Sequence, residues 1–329
     1  MGNRSFWSSG DKVDVAESPY RRLFREGATI VPRCFWFVDV KKSKLGSDEN
    51  LPPLISSERA RKEAKKPYQD CIIEGPVESK FIYATLLPVD MVPFGVLRFR
   101  TIVLPAMIER EGYRLLDSDE LRSEGFMHAA QWVHTVKQEW KTRRKGKAGN
   151  MSLLQRLNYT QGITQQNPNA GFRVLYGTSG THVCASAVSP SMMKRRKRGL
   201  DLGQALVIDH KTYFLETESG EEASYLASVL NAPAVNLAIK EGQSRGLWGA
   251  RDVHKKVLDL PIPKFDSTLK AHIRLAEMSE ACAQRVEEWI ASGRPGKIKS
   301  IGLLRRRVRE MLSNELAEID SIVKPMLGL

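Results

Sequence analysis

Cysteine is scarce. Only Cys34, Cys71, Cys184 and Cys282 occur in 329 residues, too few and too scattered for a disulfide framework, and no two stand at zinc-ligand spacing. They are expected as buried free thiols in a reducing compartment. No apolar run approaches the length that spans a bilayer. The opening "MGNRSFWSSGDKVDVAES" has no apolar core that would make a signal peptide. A soluble, cytoplasmic chain is expected. Catalytic signatures are also missing. There is no Gly-rich fingerprint on a strand–turn–helix unit, no P-loop, no His/Glu/His zinc helix and no Ser-centred nucleophile elbow. "GTSGTH" (177–182) has two glycines, but it lacks the lysine of a phosphate cradle and is followed by a strand. Asp48, Glu63 and Lys65 lie in a charged, proline-bearing segment without a strand framework and read as solvated loop. His210 beside Asp209, at the end of a strand, reads as structural or binding rather than as a general base. No constellation makes the chain an enzyme by itself, no metal site is expected and no catalytic residue is assigned.

Acidic charge is the other deficit. Lys and Arg number 51 against 38 Asp and Glu, a formal net charge of +13. That balance says nothing of fold, but it attracts polyanions, either nucleic acid or an anionic membrane. Six Trp, eight Tyr and eleven Phe supply enough large apolar side chains to argue against wholesale disorder. The length suits one large domain or two smaller ones with true cores.

Along the chain, residues 1–18 are polar and read as a flexible tail. β-Rich blocks at 28–40, 80–87, 95–107, 172–188 and 205–219 read as strands. A helix is expected from Ser118 to about Arg144, and a shorter one at 151–159. "GEEASYLASVLNAPAVNLAIK" (220–240) reads as one or two helices with a break at Asn231, Ala232 and Pro233. Apolar residues at steps of three and four, from Leu275 to Trp289 and from Leu304 to Val323, flank "SGRPGK" and predict a helical hairpin. Strand-like segments cluster between helices without βαβ spacing. The fold class is therefore α+β: a mostly antiparallel sheet flanked by helices, followed by a C-terminal α-helical hairpin. The expected boundaries are a tail at 1–18, a recognition domain at 19–265 and the hairpin at 266–329, used for packing or partner docking.

The stretch "GQSRGLWGARDVHKKVLDLPIPKFD" (242–266) concentrates the chemistry a polyanion needs. Gly242, Gly246 and Gly249 let backbone amides approach a phosphate closely. Gln243 and Arg245 have donor and acceptor geometry suited to adenine or guanine edges. Ser244, Arg251 and His254 extend the polar set, and Lys255 and Lys256 suit phosphates. Trp248 either packs or wedges between bases. The tail of the stretch, "VLDLPIPKFD", reads as a strand that anchors the loop. Lys194, Arg195, Arg196, Lys197 and Arg198 form an unbroken basic run, and further runs lie at 141–147 and 305–309. Each is either a solvated face or a phosphate contact. Thr181 and His182 follow a glycine turn and either reach nucleic acid or pin the turn.

The order of blocks resembles a known family. "REGATIVPRCFWFV", "VESKFIYATLLPVDMVPF", "FRVLYGTSGTHVCASAV" and "IDHKTYFLETESGEEASYLASVLNAP" lead into "SRGLWGARDVHKKVLDLPIPKFD". The set is similar to the C-terminal target-recognition region of the large N6-adenine DNA methyltransferases, including fused Type IIG-like restriction–modification enzymes, over about residues 20–325. The resemblance implies a specificity module that binds duplex DNA and works with a separate methyltransferase catalytic subunit, which would carry S-adenosylmethionine. The family's Asn-Pro-Pro-aromatic tetrapeptide is absent. The chain's one Asn-Pro stands in "QNPNAG" (Asn167, Pro168), and no methyl-donor loop is present, so no cofactor is expected on this chain. Two other functions compete with this one: a non-functional fragment of a split methyltransferase gene, and a general nucleic-acid-binding protein.

Overall fold

The computed structural model describes residues 17–41, 48–110, 112–195, 205–241, 245–246, 249–250 and 253–329. Short β-rich segments punctuated by Gly and Pro pair antiparallel into two main sheets. The first runs Glu74–Pro76, Pro53–Ser56, Phe37–Val40, Arg100–Val103, Ile82–Thr85 in spatial order. The second runs Arg25–Glu26, Thr212–Thr217, Phe172–Gly177, Ala185–Val188, with Tyr176 opposite Tyr213 and their rings stacked at 5.4 Å. This is the α+β architecture expected, with helices flanking the sheets and closing the C-terminus.

The helix Met127–Arg143 covers the first sheet. Its inner stripe is Ala129, Ala130, Trp132, Val133, Val136 and Trp140, all buried, at the spacing that lines one face of a helix. Its first turn has no cap of its own. Instead the Glu78 carboxylate accepts from the His128 and Ala129 N–H groups at 3.0 and 2.8 Å, meeting orphan donors where the helix dipole favours an anion. The expected single helix from Ser118 is two. Ser118–Ser123, closed by the Asp117–Glu120 capping box, ends before Gly125, whose φ of 86° breaks the run.

The second sheet packs on the helix Gly220–Asn231, capped by Ser219. All of its residues from Ala223 to Asn231 are buried, because the sheet lies on one side and the helices Lys270–Ala291 and Ser313–Leu327 on the other. Each large apolar side chain removed from water here contributes about 1.5–3 kcal/mol. The break before Pro233 is present, and the next helix begins with the Ala234 N–H on the Asp320 carboxylate at 2.7 Å.

Buried side chains fall into three clusters. One joins Tyr20 and Phe24 to the second sheet and to the helices out to Leu327. A second gathers the first sheet with the helix Met127–Arg143. A smaller third, including Met91, Leu175, Cys184, Leu206 and Phe214, lies between. All four cysteines are free and buried.

Three further sequence expectations differ in detail. The block 28–40 is a strand only from Phe37. Before it, Arg33–Trp36 is a helical turn, which lets the successive Cys34, Phe35 and Trp36 all face the core, as an alternating strand cannot. "VLDLPIPKFD" forms a 3-10 turn at Lys256–Asp259 and then runs extended without a ladder partner, since its two prolines remove the donors a ladder needs. The second arm of the C-terminal hairpin divides at Leu312 into Ile301–Met311 and Ser313–Leu327.

Candidate nucleic-acid interface

At one end of the second sheet the strand Phe172–Gly177 runs into the turn 178–183. Gly177 packs closely there, since a Cβ would lie 3.0 Å from the Pro88 side chain. The Thr178 N–H donates to Lys211 O at 2.9 Å, and Thr178 O accepts from the His254 N–H at 2.9 Å. The turn that carries Thr181 and His182 is therefore joined, through Thr178, to His254 at one end of the sheet.

His254 is held in the left-handed region, φ 36°, uncommon for a residue with a side chain. Two contacts impose it: its N–H on Thr178 and its carbonyl accepting from the Tyr176 hydroxyl at 3.0 Å. Its ring meets Tyr213 edge-on. Lys255 turns inward, donating to Arg21 O at 3.0 Å with its ammonium 6.0 Å from the Tyr213 ring centre. Lys256 is half-buried. The base of the glycine-rich stretch is thus latched to the N-terminal turn Tyr20–Leu23 and to the sheet. Earlier in the same stretch the backbone forms a small antiparallel ribbon, Arg245–Gly246 on Gly249–Ala250. A two-stranded ribbon is one of the shapes a DNA major groove admits. Gln243, Ser244, Trp248 and Arg251 lie outside the described residues, as do Arg196, Lys197 and Arg198. Lys194 and Arg195 end the helix Pro190–Arg195.

Thr181 is exposed and His182 half-buried, with Nδ1 of His182 at 3.3 Å from Oγ1 of Thr181. The turn is pinned from behind by two buried asparagines. Asn236 accepts from the Val183 N–H at 2.6 Å. Asn231 accepts from the Ala185 N–H at 3.1 Å and donates to Ala185 O at 2.9 Å. Sequence reading missed what surrounds His182. Burial first, then the charges of Arg309, Lys240 and Arg305, push its imidazole down to about 4. Arg305 donates to Met91 O at 3.1 Å and Pro88 O at 2.5 Å, and Arg309 to Val183 O at 3.1 Å. Burial also lowers the Arg309 guanidinium. A signal was present: Arg305 and Arg309 stand four apart, each directly after an apolar stripe residue, Leu304 and Val308. Both flank the buried seam rather than facing away from it. Arg306 and Arg307 are exposed, and Arg307 pairs with Glu310.

Several of the other basic and acidic candidates are engaged locally. In the run 141–147, Arg143 bonds Glu139, Asp70 and Pro67 O, and Arg144 bonds Met151 O. Asp48 accepts from the Asn50 N–H and Glu63 pairs with Arg59. Asp209 is wholly buried. Burial by itself would raise its carboxyl, but His210, Arg33 and the Lys211 N–H hold it below the usual range. The His210 backbone N–H donates to Ala28 O at 2.8 Å, part of a parallel bridge between Ala28 and Asp209, and the Thr212 N–H on Asp209 O at 2.9 Å closes the turn that follows. Asn167 also has a structural task. Its side chain accepts from the Asn169 N–H at 2.9 Å, its N–H donates to Glu216, and its carbonyl accepts from Arg173. Asn167 is thus held by the turn it begins and by the strand partners Arg173 and Glu216. Among the described residues no group of His, Cys, Asp or Glu could hold a metal ion, and no helix is long and apolar enough to cross a membrane.

No protein-family model matches the chain, and no curated protein matches it in sequence. Solved structures do match. One is that of the Type IIL restriction–modification enzyme MmeI, determined in complex with DNA. It aligns with a TM-score of 0.52 at 12% identity, over 95% of this chain and 33% of that one. The chain spans about a third of the length of that enzyme, and what it shares with it is the fold.

Proposed function

We propose that this chain is the DNA-reading, target-recognition module of an N6-adenine methyltransferase or restriction–modification system. It binds duplex DNA and presents it to catalytic machinery that lies outside these residues and carries the methyl donor. The observation that carries the reading is the fold correspondence, which runs over 95% of this chain and matches a third of a restriction–modification enzyme solved with DNA. The site supports it chemically. The turn that bears Thr181 and His182 is bonded through Thr178 to His254, at the base of the glycine-rich stretch that carries Arg245, in a chain of net charge +13. Phosphate contacts position such a module, and a few side chains at base edges give it sequence preference. Flipping of a target base belongs to the catalytic partner.

The test is selection of bound sequences from a random duplex pool, with and without a candidate catalytic subunit, at rising salt. A recognition module keeps a preference among duplexes when salt suppresses non-specific binding. Enrichment of no sequence leaves general nucleic-acid binding, which the net charge alone supports. Methyl transfer from S-adenosylmethionine by the purified chain alone overturns the division of labour.

A further inference from the structure

Two helices distant in sequence bring cations to the turn 180–183. The helix Ile301–Met311 contributes Arg305 and Arg309. A Cβ built on Gly180 would stand 3.8 Å from Nη1 of Arg305, so the guanidinium lies against the turn, and Arg309 bonds the Val183 carbonyl. The helix Pro233–Glu241 contributes Lys240, one turn beyond Asn236, the residue that holds the Val183 N–H. Residues four apart share a helix face, so Lys240 lies on the face that meets the turn. The turn itself contributes His182 and the exposed Thr181 hydroxyl. Among the described residues no carboxylate pairs with Lys240, Arg305, Arg309 or His182, whereas most other arginines in the structure meet one. Arg309 spends one N–H on a carbonyl, and none of its nitrogens is buried without a partner. Donors therefore remain at the surface. Converging cations with no anion among them are costly in the free protein, and an oxyanion would relieve that cost.

We propose that the turn 180–183, with Lys240, Arg305 and Arg309, is a seat for one phosphodiester of the duplex backbone. It would fix the module's register on DNA while the ribbon Arg245–Gly246 on Gly249–Ala250 reads bases. This rests on the DNA-binding reading above. The half-buried environment makes the seat selective for an oxyanion that accepts several hydrogen bonds, beyond the general attraction of a basic surface. The depressed His182 provides a reporter, because an anion bound beside it raises its pKa from about 4.

The experiment compares the wild-type chain with Lys240→Gln and with Lys270→Gln, an equal charge change at an exposed residue on another helix. Binding to a mixed-sequence duplex is measured across salt, and the His182 resonances are titrated with inorganic phosphate. Lys240→Gln should weaken binding to every duplex alike and flatten the slope of log K against log salt by about 0.9, with Lys270→Gln unchanged. Phosphate should raise the His182 pKa in the wild type and less in Lys240→Gln. A folded Lys240→Gln protein with the wild-type slope, together with a His182 pKa indifferent to phosphate, overturns the seat. If the wild type binds no duplex while phosphate still moves His182, the oxyanion seat stands and its DNA occupant is wrong, and the DNA reading fails separately.

Discussion

Asn231→Ala tests whether the turn is held from behind as described. The side chain is 3% exposed and makes three hydrogen bonds, one accepted from the Ala185 N–H and two donated to Ala185 O and Ala227 O. Truncation does not orphan all three partners. Ala185 O still accepts from the Phe94 N–H at 2.9 Å, and Ala227 O is still a helix acceptor. The Ala185 N–H is the group left buried and unpaired, which costs about 1–3 kcal/mol. The cavity left by the lost amide adds to this, for a total of about 2–4 kcal/mol. Asn231→Asp restores an acceptor for the N–H but sets a carboxylate against two carbonyls, so at neutral pH it should be the worse variant. It should recover as pH falls and the acid gains a donor hydrogen. Urea unfolding, followed by tryptophan fluorescence and circular dichroism with m unchanged, reads the difference. An alanine variant within about 0.5 kcal/mol of wild type, the range of an ordinary surface change, would refute the reasoning.

Asp90→Ala should cost about 3–5 kcal/mol in the same assay. Asp90 is fully buried, accepts from the Leu87 N–H, and pairs bidentately with Arg100, which would be left nearly buried and alone; a smaller loss than Lys62→Ala on the exposed Glu58 pair would count against the network. His182 titrates at about 4 when folded against an ordinary 6.5, so between those values the unfolded chain binds the extra proton and stability falls as pH drops. His182→Gln should lose less stability over that window, and parallel profiles would contradict the assignment. Arg245→Ala should cost about 1–3 kcal/mol on the selected duplex and relax preference at one base position; unchanged binding to selected and random duplexes removes Arg245 from base reading. A thiol reagent should leave the native protein unmodified and titrate four cysteines in denaturant, since all are buried and burial pushes Cys282 up to about 12; rapid reaction of the native chain would show that a thiol is accessible.

Much of the architecture was legible because burial writes a period into sequence. The stripe from Ala129 to Trp140, the break at Ala232 and the seam from Leu304 to Val323 could all be read before any coordinates. Arg33–Trp36 was not, because a short continuous apolar run looks alike as strand or as buried turn. The site was legible in part. Thr181–His182 and His254–Lys256 stand out by glycine context and charge, but the link between the two stretches is one long-range bond, from the His254 N–H to Thr178 O. Nothing local foretells that Lys255 would spend its ammonium on Arg21 O rather than face outward. Arg305 and Arg309 looked like surface charge because a helical wheel shows that a face is polar, not what it meets.

The buried helix Gly220–Asn231 has a consequence for how the chain is made. Its outer side is closed by residues that leave the ribosome later: Ser228 donates to Leu275 O, 47 positions downstream, and Tyr225 to Pro263 O, 38 downstream. At synthesis rates of about 5–20 residues per second, the apolar flank waits roughly 2–9 s before its cover arrives. In that interval the helix can pack on the second sheet, whose strands all precede it, but its outer side stays open, a strip suited to a chaperone. A messenger truncated between codons 232 and 274 would release a chain stuck at that stage.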